Sequence, residues 1–133
     1  MSEILDSINT HLEFLGYSIE PTSDNKGFLA THAQNANFLI KEVVPSFFYI
    51  QVIYGLNETA NEDKLGFLTS VNEFNATKLL FTHCYATQNL SQLYIETFIT
   101  NYDKTLFGRL VVQINVEIQK ILNKDDSLRQ YLV

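Results

Sequence analysis

Residues 46–56, SFFYIQVIYGL, restrict the fold of this chain more than any other stretch. The run is dense in aromatic and β-branched side chains, which suit a pleated, packed surface. Successive strand residues point to opposite faces, so Phe48, Ile50, Val52 and Tyr54 share one side and Phe47, Tyr49, Gln51 and Ile53 the other. Both sides are largely apolar. A strand of that kind is expected to be central in a sheet and covered, at least in part, on both faces. The covering has to come from amphipathic helices elsewhere in the chain.

Three segments supply them. Residues 2–15 read as a helix with Ser2 as its cap, Glu3 and Asp6 at the positive end, and Gly16 beyond its last turn. Ile4, Leu5, Ile8, Leu12 and Leu15 form its apolar stripe. A second helix is expected from about Ala60 to Ala76, with Thr59 and Glu62 at capping-box spacing. The third starts after Asp103, with Tyr102 and Phe107 at staple spacing, and ends at NKDD. Leu106, Phe107, Leu110, Val111, Ile114, Ile118, Ile121 and Leu122 fill its apolar sector, and Arg109, Gln113, Glu117 and Lys120 the opposite side.

Strand patterns fill the intervals. Tyr17–Glu20 is a short extended piece before the turn PTSDNKG. FLATHA (28–33) is expected at a sheet edge, and NFLIKEVV (37–44) precedes the central strand. KLLFTHCYA (78–86) and QLYIETFIT (92–100), joined by TQNLS, read as an antiparallel hairpin. The order is α-β-β-β-α-β-β-α, an α+β fold with helices packed on an antiparallel sheet. Residues 1–133 are expected to form one domain with a short tail, 124–133, that can make a helical turn.

Composition narrows the function. A 133-residue chain buries roughly two-thirds of its unfolded surface, enough for a core without disulfides or metal. A net charge of −6, with nine scattered Lys and Arg, opposes nucleic-acid binding, which needs a positive patch. The single cysteine, Cys84, fits a reducing compartment. The opening MSEILDSINTHLEFLGY has neither a basic nor a continuous apolar signal segment, and no run is long and apolar enough for a membrane span. A cytoplasmic protein is expected.

The second helix carries a puzzle. Phe67, Leu68, Val71 and Phe74 define its apolar sector, yet Asn75 projects near the middle of that sector and Asn72 lies at its edge. A buried amide without partners costs about 1–3 kcal/mol. Asn75 can satisfy carbonyls at the helix end, or it can clamp the helix to a neighbouring strand or subunit. The segment VNEFNATKL (71–79), the order of elements, the size and the acidity resemble the YbjN-type bacterial domains, a class grouped with sensory transduction regulators. That class shares the fold of type III secretion chaperones of the CesT/Tir kind. The resemblance runs from LEFLGY through VNEFN to the long final helix. It implies a small, non-enzymatic, usually dimeric protein whose surface grips another polypeptide. An apolar groove pattern for a secreted effector is not evident, which sets this chain apart from a dedicated secretion chaperone.

No chemistry-bearing constellation competes with that reading. His11, His32 and His83 fall on different elements without a second ligand at metal spacing, so neither a metal nor another cofactor is expected. His83 and Cys84 are strand neighbours and point to opposite faces, so the imidazole cannot activate the thiol. The five glycines are too dispersed for a phosphate loop, and Glu62-Asp63 and Asp125-Asp126 suit helix ends.

Two surfaces are candidates for a partner. The second face of the sheet draws on Phe47, Tyr49, Ile53, Tyr85, Tyr94 and Phe98, with Gln51 and Glu96 among them. On the final helix, Val112 and Val116 stand away from the apolar sector. The leading expectation is a homodimeric, chaperone-like module holding a protein or peptide partner, by strand addition or by docking on aromatic side chains. The alternative is a regulator of a signalling or stress pathway with no client peptide.

Overall fold

The computed structural model describes residues 2–123 and 127–133. The Asp125-Asp126 pair therefore lies outside the described residues. The elements run α1 (Glu3–Phe14), β1 (Ser18–Pro21), β2 (Gly27–Thr31), β3 (Phe38–Val44), β4 (Phe47–Gly55), α2 (Thr59–Glu62), α3 (Lys64–Thr77), β5 (His83–Ala86), β6 (Gln92–Ile99) and α4 (Lys104–Leu122), with a 3-10 turn at Arg129–Tyr131. The class is α+β: four helices on a six-stranded sheet of order β1-β2-β3-β4-β6-β5. The strand at 46–56 is indeed interior in that order. Two compact units divide the chain, residues 1–52 with 97–112 and residues 53–96 with 113–133.

In the first unit, α1 begins where expected: Ser2 accepts the Leu5 amide at 3.2 Å, and Gly16, at φ 94°, ends the helix in the left-handed region. Leu5, Ile8 and Leu12 are buried, but Leu15 is not. The extended piece after the helix is a full strand, β1, so the sheet gains a member. It also takes the edge position expected for 28–33, and β2 lies inside between β1 and β3. The turn between them explains this. Asp24 accepts the Thr22 hydroxyl at 2.7 Å and the Lys26 amide at 3.1 Å, and Asn25 sits at φ 56°, which folds the chain straight back. Gly27 then lets β2 approach β3, since a Cβ there would lie 2.1 Å from the Ile40 carbonyl oxygen. Phe28, Ala30, Phe38, Ile40, Phe48 and Ile50 are buried here. Each of these Phe and Ile side chains contributes roughly 1.5–3 kcal/mol.

In the second unit, the expected helix from Ala60 to Ala76 is two helices. Asp63, not the Thr59/Glu62 pair, caps α3, accepting the Gly66 amide at 3.1 Å and the Tyr131 hydroxyl at 3.0 Å. The Thr59 amide is taken by Asn57 Oδ1. The strand expected over 78–86 forms only from His83, because residues 80–82 are held by α4 instead. The C-terminal residues are part of the core and more than a tail. Leu128, Tyr131 and Leu132 are buried, Leu132 bridges to Leu56, and the Val133 amide donates to Gly55 at 3.0 Å.

Helix α4 starts as predicted: Asp103 accepts the Leu106 amide at 2.9 Å, and the Tyr102 and Phe107 rings lie 5.8 Å apart. Two of its residues depart from the predicted faces. Leu106 is exposed in the first turn, and Glu117, expected on the polar side, is only 2% exposed.

Candidate functional site

Asn75 answers the puzzle of the second helix. Its residue surface is exposed rather than central to the apolar sector, but its amide turns inward to β5. Nδ2 donates to the Cys84 carbonyl and Oδ1 accepts the Cys84 amide, each at 2.8 Å. β5 is an edge strand and pairs with β6 on its other side. The side chain thus does what a further strand would do, satisfying both outward backbone groups of one residue. Of the two readings of Asn75, the clamp from helix to strand is the one the geometry shows. Asn72 lies exposed on α3.

Glu117 is the second polar device. It is the lone acidic residue in α4, set between Val116 and Ile118. Its carboxylate accepts the amides of Leu80, Phe81 and Thr82, and the Thr82 hydroxyl at 2.8 Å. Three consecutive N–H groups converging on one carboxylate make a complete shell for a buried charge. One acid between two β-branched residues on a helix is a signal that sequence reading could have used.

Cys84 is buried, and burial pushes its thiol up to about 11. At neutral pH it stays protonated and a poor nucleophile. His83 lies on the opposite, exposed face, as the strand alternation predicted. The same face of the β5–β6 pair carries a polar–aromatic cluster. Tyr85 faces Tyr94 in the register, with ring centroids 5.3 Å apart, and His83 faces Glu96. Buried Glu96 accepts the Tyr85 hydroxyl at 3.0 Å and lies 3.6 Å from His83 Nε2. The carboxylate fixes the orientation of the rings. His83 is on the edge strand β5.

The remaining predicted interface residues divide by exposure. In the first unit Phe47 is 48% exposed, Phe98 49%, and Tyr49 half-buried. In the second unit Tyr94 is half-buried and Ile53 is exposed. Gln51 and Glu96, on the same strand faces as these residues, are buried, so that side is covered in places. Val112 and Val116 both stand exposed on the flank of α4. Sequence reading missed Leu80 and Phe81, which it placed in a strand and which are exposed.

An open groove of about 560 Å³ follows α1 from Glu3 and Asp6 past His11 to Phe14, with Tyr102 and Lys104 on its other wall. Its imidazole is engaged: Nδ1 of His11 meets the Tyr102 hydroxyl at 2.8 Å. Burial, then the charge of Lys104, lowers the His11 pKa. Among the described residues no three His, Cys, Asp or Glu side chains are grouped to hold a metal ion, and no helix is long and apolar enough to cross a membrane.

The geometry defines a YbjN-like, type III secretion chaperone-like α+β fold, and solved structures share it. YbjN of E. coli, a candidate transcription regulator, aligns at a TM-score of 0.66 and 15% identity over 97% of this chain and 95% of its own. A chain of the heterodimeric ExoU–SpcU complex from the type III secretion system of Pseudomonas aeruginosa aligns at 0.63 and 16% identity, covering 94% and 97%. An uncharacterized protein from Methanothermobacter thermautotrophicus aligns at 0.62 and 11% identity, covering 86% and 91%. No protein-family model and no curated relative matches the sequence.

Proposed function

We propose that this protein is a non-enzymatic, cytoplasmic protein-binding module that holds a partner polypeptide in a chaperone-like manner and works as a homodimer. The observation that carries the reading is the exposure of aromatic anchors, Phe47 and Phe98, on sheet strands. Aromatic side chains are enriched as anchors at protein interfaces. Tyr49 and Tyr94 on the sheet, and Val112 and Val116 on α4, extend the candidate contact surface. The ExoU–SpcU match supports it, because that fold there takes part in a complex of two proteins. The Asn75 clamp narrows the mode of binding: the outward groups of Cys84 are taken, so side-chain docking is favoured over strand addition at β5. The reading takes residues 1–133 as one working domain, since β4, β6 and α4 each run through both compact units.

The second reading, a regulator without a client peptide, draws on the match to YbjN. With a net charge of −6, such a regulator would act through proteins or small ligands rather than through DNA backbone contacts. Light scattering after size exclusion, followed by affinity capture from native cells, separates the two. A dimer that captures one polypeptide stoichiometrically, and loses it in Phe47→Ser/Phe98→Ser, supports the binding module. A monomer that captures nothing overturns it.

A further inference from the structure

The groove along α1 lies within the first compact unit, between α1 and the start of α4. Its aromatic wall is held in place. Nδ1 of His11 meets the Tyr102 hydroxyl, and the imidazole stands edge-on to Phe107 with ring centroids 5.2 Å apart. The same ring packs over Gly108, its Nε2 and Cε1 3.6 Å from where a Cβ there would stand. Contacts with a tyrosine, a phenylalanine and a glycine backbone leave the imidazole one orientation. Phe14, also lining the groove, is 85% exposed and offers a large ring to whatever enters.

The charges around these rings are unmatched within the fold. Glu3 and Asp6 suit the start of α1, where the helix dipole is positive. Lys104 does not suit its place: it is the first residue of a 19-residue helix, the end where a cation is disfavoured, and its charge opposes a proton on His11. None of the three side chains makes an ion pair or a hydrogen bond among the described residues. Elsewhere in the same unit an acid and a lysine within reach do pair, Asp24 with Lys41 at 2.6 Å. Here the acids line one wall and the lysine the other, around about 560 Å³ of space, a size that suits a small molecule. We propose that this groove binds a small aromatic zwitterion, an amino acid or dipeptide, with its ammonium at Glu3 and Asp6, its carboxylate at Lys104 and its ring against Phe14 and Tyr102. The site shares no residue with the surface proposed for a polypeptide, so either can fail alone.

The test titrates the full, isotope-labelled chain by NMR with phenylalanine and with the dipeptide Ala-Phe. Phenethylamine lacks the carboxylate, hydrocinnamate lacks the amine, and Ala-Ala lacks the ring. Resonances of His11, Phe14 and Lys104 should shift saturably with phenylalanine or Ala-Phe, whichever fits, at least about tenfold more tightly than with the three analogues. Lys104→Gln should erase the preference over phenethylamine, and Glu3→Gln/Asp6→Asn the preference over hydrocinnamate. Phe14→Ser should weaken the zwitterion about tenfold. Lys104→Gln should melt no lower than the wild type, since it removes a cation from the wrong end of a helix. No saturable shift below about 10 mM, equal binding of the single-charge analogues, or full affinity in Lys104→Gln overturns the proposal. Phe47→Ser/Phe98→Ser, which tests the polypeptide reading, should bind the zwitterion unchanged. A loss there would merge the two sites and overturn this one.

Discussion

The two edge strands, β1 and β5, are each four residues long and are secured in opposite ways. β1 is held by its neighbours in the chain. The Thr22–Asp24–Lys26 turn closes within five residues, and Asp24 adds an ion pair to Lys41 at 2.6 Å. β5 is held by side chains brought from a distance: Asn75, nine residues before Cys84, and Glu117, thirty-five residues after Thr82. The local edge depends on backbone conformation that many sequences can adopt. The distant edge depends on two side chains with no substitute nearby. One end of the sheet should therefore be tolerant of mutation and the other fragile.

The largest effect should come from Glu117→Ala. It strips the shared acceptor from three buried or half-buried amides and a hydroxyl, and the expected loss is about 3 kcal/mol in urea unfolding, with residues 80–82 losing hydrogen-exchange protection. A loss under about 0.5 kcal/mol would erase the contrast between the edges. Asn75→Ala comes next, at about 1–2 kcal/mol, because both outward groups of Cys84 lose their partner. Asn75→Asp separates the two bonds: it keeps an acceptor for the Cys84 amide and loses the donor to its carbonyl, so it should fall between wild type and Ala.

On the β1 side the expected effects are smaller. His11 sits on α1, which packs on β1, and its pKa is lowered from 6.5 by burial and then by Lys104. The unfolded chain therefore binds this proton more readily than the folded one. The contribution of His11 is present above pH 6.5 and is lost as pH falls toward the folded value. A melting temperature that drops on acidification in the wild type, and drops less in His11→Asn, would show it. The smallest effect belongs to Asp24→Ala. The Lys41 and Thr22 contacts and the Lys26 amide hold the Asp24 carboxyl well below its ordinary range, but the site lies at the surface and is screened. Its melting curve should overlay the wild type at moderate salt, and a large destabilisation would mean that β1 is as fragile as β5.

The same division governs what could be read from the chain. PTSDNKG announced a turn because its residue types act on their own backbone, and Ser2, Gly16 and Asp103 marked helix ends for the same reason. The final residues were harder. Arg129–Tyr131 looked like a tail because its burial depends on Leu56, Asn57 and Asp63, far away in sequence. The strand predicted over 78–86 had good β-propensity, and a single carboxylate from α4 overrode it. Asn75 is legible as an amide beside an apolar stripe, yet periodicity carries no information on its partner, Cys84.

What the sequence determined alone is the α+β class, the central place of residues 46–56, the caps at Ser2 and Asp103, and the opposite facing of His83 and Cys84. All of these follow from periods of 2 and 3.6 and from local hydrogen bonding. The tertiary structure decided which strand lies at an edge, where Glu117 points, and that Leu80 and Phe81 meet solvent. Those outcomes depend on partners dozens of residues apart, and no short-range pattern encodes which long-range bond forms.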